Sequence, residues 1–239
     1  MMPLHPIQNI TKHLLLLAAL TGGAAGAIQE VLTAPEIAQA NQDGSAMVTP
    51  SSAYLWGSYL LVSNSTGIKL APNAPEVDGI AMGTPFERLR YEAYLSQYEG
   101  NPLDTARATA FARTLDHKLS FIVYTHSLKS VAEETEQWQQ AYEKNPGARK
   151  STRTASYLDV FKPATLTVNG RTLQASPQVD GPYQDQFNLA NGDFDFRYLG
   201  VITYTFDLKS FPNARNVTLS FKDSAGRKYT QKIDLSQYH

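Results

Sequence analysis

The 239-residue chain contains no cysteine. That excludes disulfides, thiolate nucleophiles, cysteine-ligated zinc, iron–sulfur clusters and a lipid-modified N-terminal cysteine. Neither charge is in excess, since 21 Lys+Arg face 22 Asp+Glu for a net of -1. Nucleic-acid binding draws on a basic surplus to displace counterions, so nucleic acid is not an expected partner. No apolar run approaches the ~20 residues that cross a bilayer as a helix. Histidine is scarce, with 5 in all, and the HEXXH zinc helix, the G-x-S-x-G elbow and the Ser-x-x-Lys motif are missing. What remains is a globular balance, 42% hydrophobic and 18% charged, in a length suited to one large domain or two small ones.

The N-terminus carries the clearest positive signal. Lys12 and His13 precede the run Leu14-Leu15-Leu16-Leu17-Ala18-Ala19-Leu20, and small residues follow to Ala25-Gly26-Ala27. A positive start, a short apolar stretch and an A-x-A site are the parts of a secretory signal peptide. Residues 1–27 are therefore expected to be a leader cleaved after Ala27. The expected product is exported to the periplasm, the cell surface or the medium, with no transmembrane span. Loss of Lys12 leaves 20 basic residues against 22 acidic ones, and the histidines His117, His126 and His239.

Residues 28–53 read as a flexible polar lead-in with room for one short helix. Tyr54 to Val62 is aromatic and β-branched in the manner of a strand, with Ile68 to Leu70 returning across the turn Asn64-Ser65-Thr66-Gly67. Pro72, Pro75, Gly79, Gly83 and Pro85 mark a loop. Helices are predicted from Phe86 to Tyr98, after a cap at Asp104, and from a cap at Ser127 or Ser130 to Lys144. Thr105 to Leu115 also tolerates an extended reading. From Lys118 onward period-two alternation dominates, with Leu119, Phe121 and Val123 on one face and Ser120, Ile122, Tyr124 and His126 on the other. Similar runs follow around 201–208, 217–222 and 229–235. Asn169-Gly170 between extended runs signals a hairpin, because both turn positions take φ > 0. The expected fold class is α+β: a helical N-terminal part and a C-terminal antiparallel β-sandwich of immunoglobulin-like architecture. The sandwich covers 117–239 with a helix inserted at 130–144, behind a strand/helix region at 54–116.

Calcium is the metal the sequence fits best. Asn191, Asp193 and Asp195 place oxygen donors at alternate positions, and calcium takes six to eight oxygens. The spacing is not that of an EF-hand, however, and Asn-Gly-Asp is also an ordinary turn. A carboxylate pair for glycoside hydrolysis has only Asp185 and Asp193 as placeholders. His126 enters a catalytic triad only where a distant Ser and Asp converge on it. His117 and His126 would fall on opposite faces of a continuous strand. The span Ser176 to Gly192 reads as a loop, with Tyr183, Phe187 and Asp185 as candidate ligand contacts. The same aromatics would equally suit a connection that covers a sheet edge. Arg149, Lys150 and Arg153 form a small basic cluster after the inserted helix.

These features predict a non-catalytic binding, scaffolding or structural protein of the cell envelope. Its expected partner is an envelope polymer or another exported protein, and calcium is the one cofactor left open. The alternative is an exported hydrolase that attacks envelope polymer with carboxylates. A cleft holding two close carboxylates, one with a raised pKa, would favour the enzyme. A shallow apolar patch or a free strand edge would favour the binding module.

Overall fold

The computed structural model describes residues 28–49, 53–64, 69–70, 74–145, 147, 155–189 and 191–239. The leader at 1–27, the turn residues 65–67 and the basic cluster Arg149, Lys150 and Arg153 lie outside the described residues. Helix and sheet are mixed, as an α+β chain requires. The strands are β1 (Leu60–Ser63), β2 (Lys69–Leu70), β3 (Val77–Gly83), β4 (Lys118–Ser130), β5 (Ala164–Val168), β6 (Arg171–Ala175), β7 (Gln178–Leu189), β8 (Phe194–Asp207), β9 (Asn216–Lys222) and β10 (Lys228–Asp234). They form a six-stranded sheet in the order β1-β3-β4-β8-β7-β2 and a four-stranded sheet in the order β10-β9-β5-β6. Neighbours run antiparallel, except that the two-residue β2 lies parallel to β7.

Alternation supplies the main core. Leu119, Phe121 and Val123 of β4 join Ile202, Tyr204 and Phe206 of β8 in one apolar cluster with Leu166, Val168, Val217, Leu219 and Phe221 of the smaller sheet. The β5–β6 hairpin turns where expected, with Val168 paired to Arg171 and Asn169 and Gly170 at φ 48° and 77°. Ile28, the first described residue, is buried in the same core.

The helices α1 (Ala34–Ala46), α2 (Pro85–Tyr98) and α3 (Thr105–Thr114) share a second cluster of Ile37, Ala40, Leu89, Ala93, Ala108 and Ala112. Asp104 caps α3 by accepting from the Arg107 N–H at 2.7 Å. Helix α2 covers the outer face of the larger sheet, where Arg88 Nη1 donates to Ser120 Oγ at 3.1 Å. This layer buries Ser120 and Ile122, which the alternation alone placed on a wet face.

Helix α4 (Val131–Lys144) leaves β4 directly. Ser130 accepts from the Glu133 N–H at 3.2 Å while Glu133 accepts from the Ser130 N–H at 2.8 Å, a reciprocal cap that satisfies two helix-end donors. Ser130→Ala should lower stability by about 1 kcal/mol, readable as a shift in the urea midpoint with the slope unchanged.

Several expected elements differ. Of the Tyr54–Val62 segment only the last three residues are strand, the start of β1 (Leu60–Ser63). Tyr54 and Trp56 instead pack their rings on Tyr91 of α2, at 4.8 and 5.2 Å. Their aromatic character serves a helix contact rather than a ladder. The returning strand β2 pairs with β7 instead of β1. The expected loop through Gly79 and Gly83 is the buried strand β3. Its glycines reflect close packing, since a Cβ on Gly83 would stand 2.6 Å from Arg88 Cδ of α2. Among the described residues, no helix is long and apolar enough to cross a membrane.

Candidate functional site

The span Ser176–Gly192 is not a loop. Most of it is β7, a 12-residue strand paired along its length with β8. Its Gly and Pro residues suggested a connection, but they coincide with a register shift between Asp180 and Tyr183. Such a bulge exchanges the faces of the residues beyond it. Before it Val179 packs on the main core; after it Tyr183, Asp185 and Phe187 turn to the outer face, opposite Leu199, Arg197 and Asp195.

The three candidate ligand contacts therefore share one face of a strand, but their environments differ. Tyr183 is 55% exposed, and its hydroxyl donates to Asp180. Asp185 is exposed and accepts from the Gln186 N–H at 2.8 Å. Phe187 is buried, with its ring 5.6 Å from that of His126. It anchors the strand to the body.

The calcium candidates do not gather around a common point. Asn191 and Asp193 bond to each other, Asn191 Nδ2 to Asp193 Oδ2 at 2.6 Å and the Asp193 N–H to Asn191 Oδ1 at 3.2 Å. They hold the turn from Leu189 to Asp193, where Gly192 has φ 92°. Asp195 points along β8 to Arg197, forming an ion pair at 2.8 Å. Among the described residues, no three His, Asp or Glu side chains gather in a way that would hold a metal ion.

The site candidates that sequence reasoning did not single out, Phe194, Phe196 and Tyr198, lie on the inner face of β8. Phe206, Tyr204 and Ile202 are fully buried between the sheets, and Leu158 packs over Gly200. The same face continues outward as Tyr198, half-buried, then Phe196 at 41% and Phe194 at 61% exposure. The β7–β8 ribbon thus carries the core's aromatic row past the cover of the smaller sheet. Phe194 and Phe196 meet edge to face at 5.9 Å. Beside Tyr198, α4 adds Trp138 and Tyr142 to form a groove of about 160 Å³, completed by Thr135, Gln139 and Ala155. The period-two runs Gln184-x-Gln186-x-Asn188 and Phe194-x-Phe196-x-Tyr198 were visible in the sequence. What could not be read was that, among the described residues, Phe194 and Phe196 and the three amides stay exposed.

A second cluster lies where β3 begins. His126 Nδ1 lies 2.8 Å from Asp78 Oδ1, an orienting carboxylate of the kind a triad uses; among the described residues no serine hydroxyl bonds to the His126 ring. Glu76, 1% exposed, accepts from the Ser224 N–H at 2.7 Å and from the Ser224 hydroxyl in the β9–β10 turn. Burial pushes its carboxyl up to about 7, against the lowering pull of those bonds and with a further rise from neighbouring Asp223. Asp223 in turn accepts from the Arg227 N–H at 2.7 Å and the Tyr229 hydroxyl at 3.1 Å. These groups clasp one sheet to the other.

No protein-family model, curated protein or solved structure matches the chain.

Proposed function

We propose that this is an exported, non-catalytic binding protein of the cell envelope that grips its partner through the β7–β8 ribbon. The observation that carries this reading is the exposed pair Phe194 and Phe196, which extends the inner face of β8 beyond Tyr198, the last ring packed against the core. Apolar rings left in water on a rigid ribbon favour contact with a partner, because their burial is then gained on binding rather than on folding. Two sheets sharing one core, in the immunoglobulin-like manner, suit such a role by holding the ribbon rigid. Export rests on the leader-like pattern at 1–27.

Two measurements test the reading. The protein recovered from its native cell should begin at Ile28 and fractionate with the envelope or the medium. A full-length chain recovered from the cytosol would overturn export. Phe194→Ser combined with Phe196→Ser should change stability by no more than about 0.5 kcal/mol, as exposed positions do, while abolishing association with the envelope fraction. Undiminished association would overturn the ribbon as the contact surface.

The hydrolase reading has one specific observation in its favour, the raised pKa of Glu76 beside Asp223. Both carboxylates are buried, however, and their oxygens are taken by Ser224, Arg227 and Tyr229. Neither lines the Trp138 groove. A structural clasp accounts for them better than general acid catalysis, which needs a proton within reach of a substrate.

A further inference from the structure

The inner face of the ribbon narrows the class of ligand. Cross-strand register sets Gln184 opposite Tyr198, Gln186 opposite Phe196 and Asn188 opposite Phe194. Directly opposed residues share a face, so each ring of β8 has a carboxamide of β7 beside it, and all three amides are exposed. The rungs repeat every two residues, about 7 Å, which makes a linear track rather than a single-ring socket. At its Tyr198 end the track meets the groove walled by Trp138 and Tyr142, with Thr135 and Gln139 on its lining. None of these side chains is charged at neutral pH. Along these rungs the charged residues Asp185, Asp195 and Arg197 lie on the opposite face, where Asp195 and Arg197 pair with each other, and Asp193 sits in the turn bonded to Asn191.

We infer that this face binds a neutral glycan chain, laid along the three aromatic–amide rungs with one end in the Trp138–Tyr142 groove. The inference rests on the ribbon being the contact surface. A sugar ring presents an apolar C–H face that packs on an aromatic ring and a rim of hydroxyls that both donate and accept. A carboxamide matches that rim, because it too donates and accepts. An anionic polymer would call for cations on this face. A partner helix with an apolar stripe would bury three amides without partners, at a cost for each.

The test uses the mature chain in affinity electrophoresis through soluble β-glucan and soluble α-glucan, with N-acetylglucosamine oligomers titrated against tryptophan fluorescence. At least one of these probes should bind, with an affinity unchanged between low and high salt, since no charge is involved. Phe196→Ala and Gln186→Ala should each weaken binding roughly tenfold, the scale of one stacking or hydrogen-bonding contact. Thr172→Ala, exposed on β6 of the smaller sheet, should leave binding unchanged. Absence of binding to all three probes would overturn the inference, as would binding that salt abolishes or that Phe196→Ala leaves intact. If the probes fail while the Phe194/Phe196 double variant still loses the envelope fraction, the glycan inference falls and the ribbon remains a protein-contact surface. If both fail, the contact reading falls with it.

Discussion

Gly44→Ala should destabilise the protein by about 2 kcal/mol, even though alanine is the better helix former. Gly44 lies within α1, where propensity alone would reward the substitution by about 1 kcal/mol. The Cβ it adds, however, would stand 2.0 Å from the Arg90 carbonyl oxygen and 2.9 Å from Ala93 Cβ, both on α2. The nearest obstacle is backbone, so no rotamer change relieves it, and α1 must move off α2. Moving it opens the packing of Ile37 and Ala40 against Leu89 and Ala93. For a chain of this size the melting temperature should fall by roughly 5 °C. Gln42→Ala, on the exposed side of the same helix, is the control and should leave it unchanged. A melting temperature that holds or rises in Gly44→Ala would mean that the two helices do not meet at this point.

The second large effect concerns Glu76 and depends on pH. The folded chain keeps a proton on this carboxyl up to about pH 7, whereas the unfolded chain releases it near the ordinary value of 4.5. Between those two pH values the folded state binds more protons, so stability falls as pH rises. The contribution is complete below pH 4.5 and lost as pH passes through about 7, an effect of ~3 kcal/mol. Glu76→Gln keeps an acceptor for the Ser224 N–H and a donor for its hydroxyl but cannot ionise. Its stability should match the parent near pH 4.5 and exceed it by up to ~3 kcal/mol at pH 8. Glu76→Ala should be weaker than the parent at pH 5 by about 1–3 kcal/mol, because it leaves the Ser224 N–H without its partner. Denaturant midpoints measured from pH 4.5 to 8 decide the matter. Parallel profiles for the parent and Glu76→Gln would show that Glu76 ionises normally and that the clasp has no pH dependence of its own.

How much was legible beforehand depended on the range of the interaction. The Asn169-Gly170 turn and the Asp104 cap are settled by residues within a few positions of one another and could be read directly, while the cap of α4, open between Ser127 and Ser130 in the sequence, falls on Ser130. β3 was misread because its glycines resemble loop punctuation, when Gly83 faces Arg88 of α2 and Gly79 faces Val62 of the neighbouring strand, contacts made by residues close in space. β7 was misread for a related reason: Gly181 and Pro182 mark a bulge inside a strand, and only pairing with β8 distinguishes a bulge from a loop.

The candidate site divides the same way. Tyr183, Phe187 and Asp185 were chosen by residue type, and the strand does place them on one face, but the ring nearest His126 turned out to be an anchor. Asn191, Asp193 and Asp195 had the composition of a cation site, and their oxygens are spent on a turn and on Arg197. Phe194, Phe196 and Tyr198 share the period of Ile202, Tyr204 and Phe206 across Gly200, and period alone does not tell a covered face from an open one.

By itself the sequence determined the α+β class, the alternation that builds the main core, the helix caps and a leader-like N-terminus, since each follows from local pattern and solvation. The tertiary structure alone decided which apolar face is covered. Burial depends on which layer reaches each stretch of a strand: Ile202, Tyr204 and Phe206 share a core with the smaller sheet, whereas Phe194 and Phe196 stay exposed.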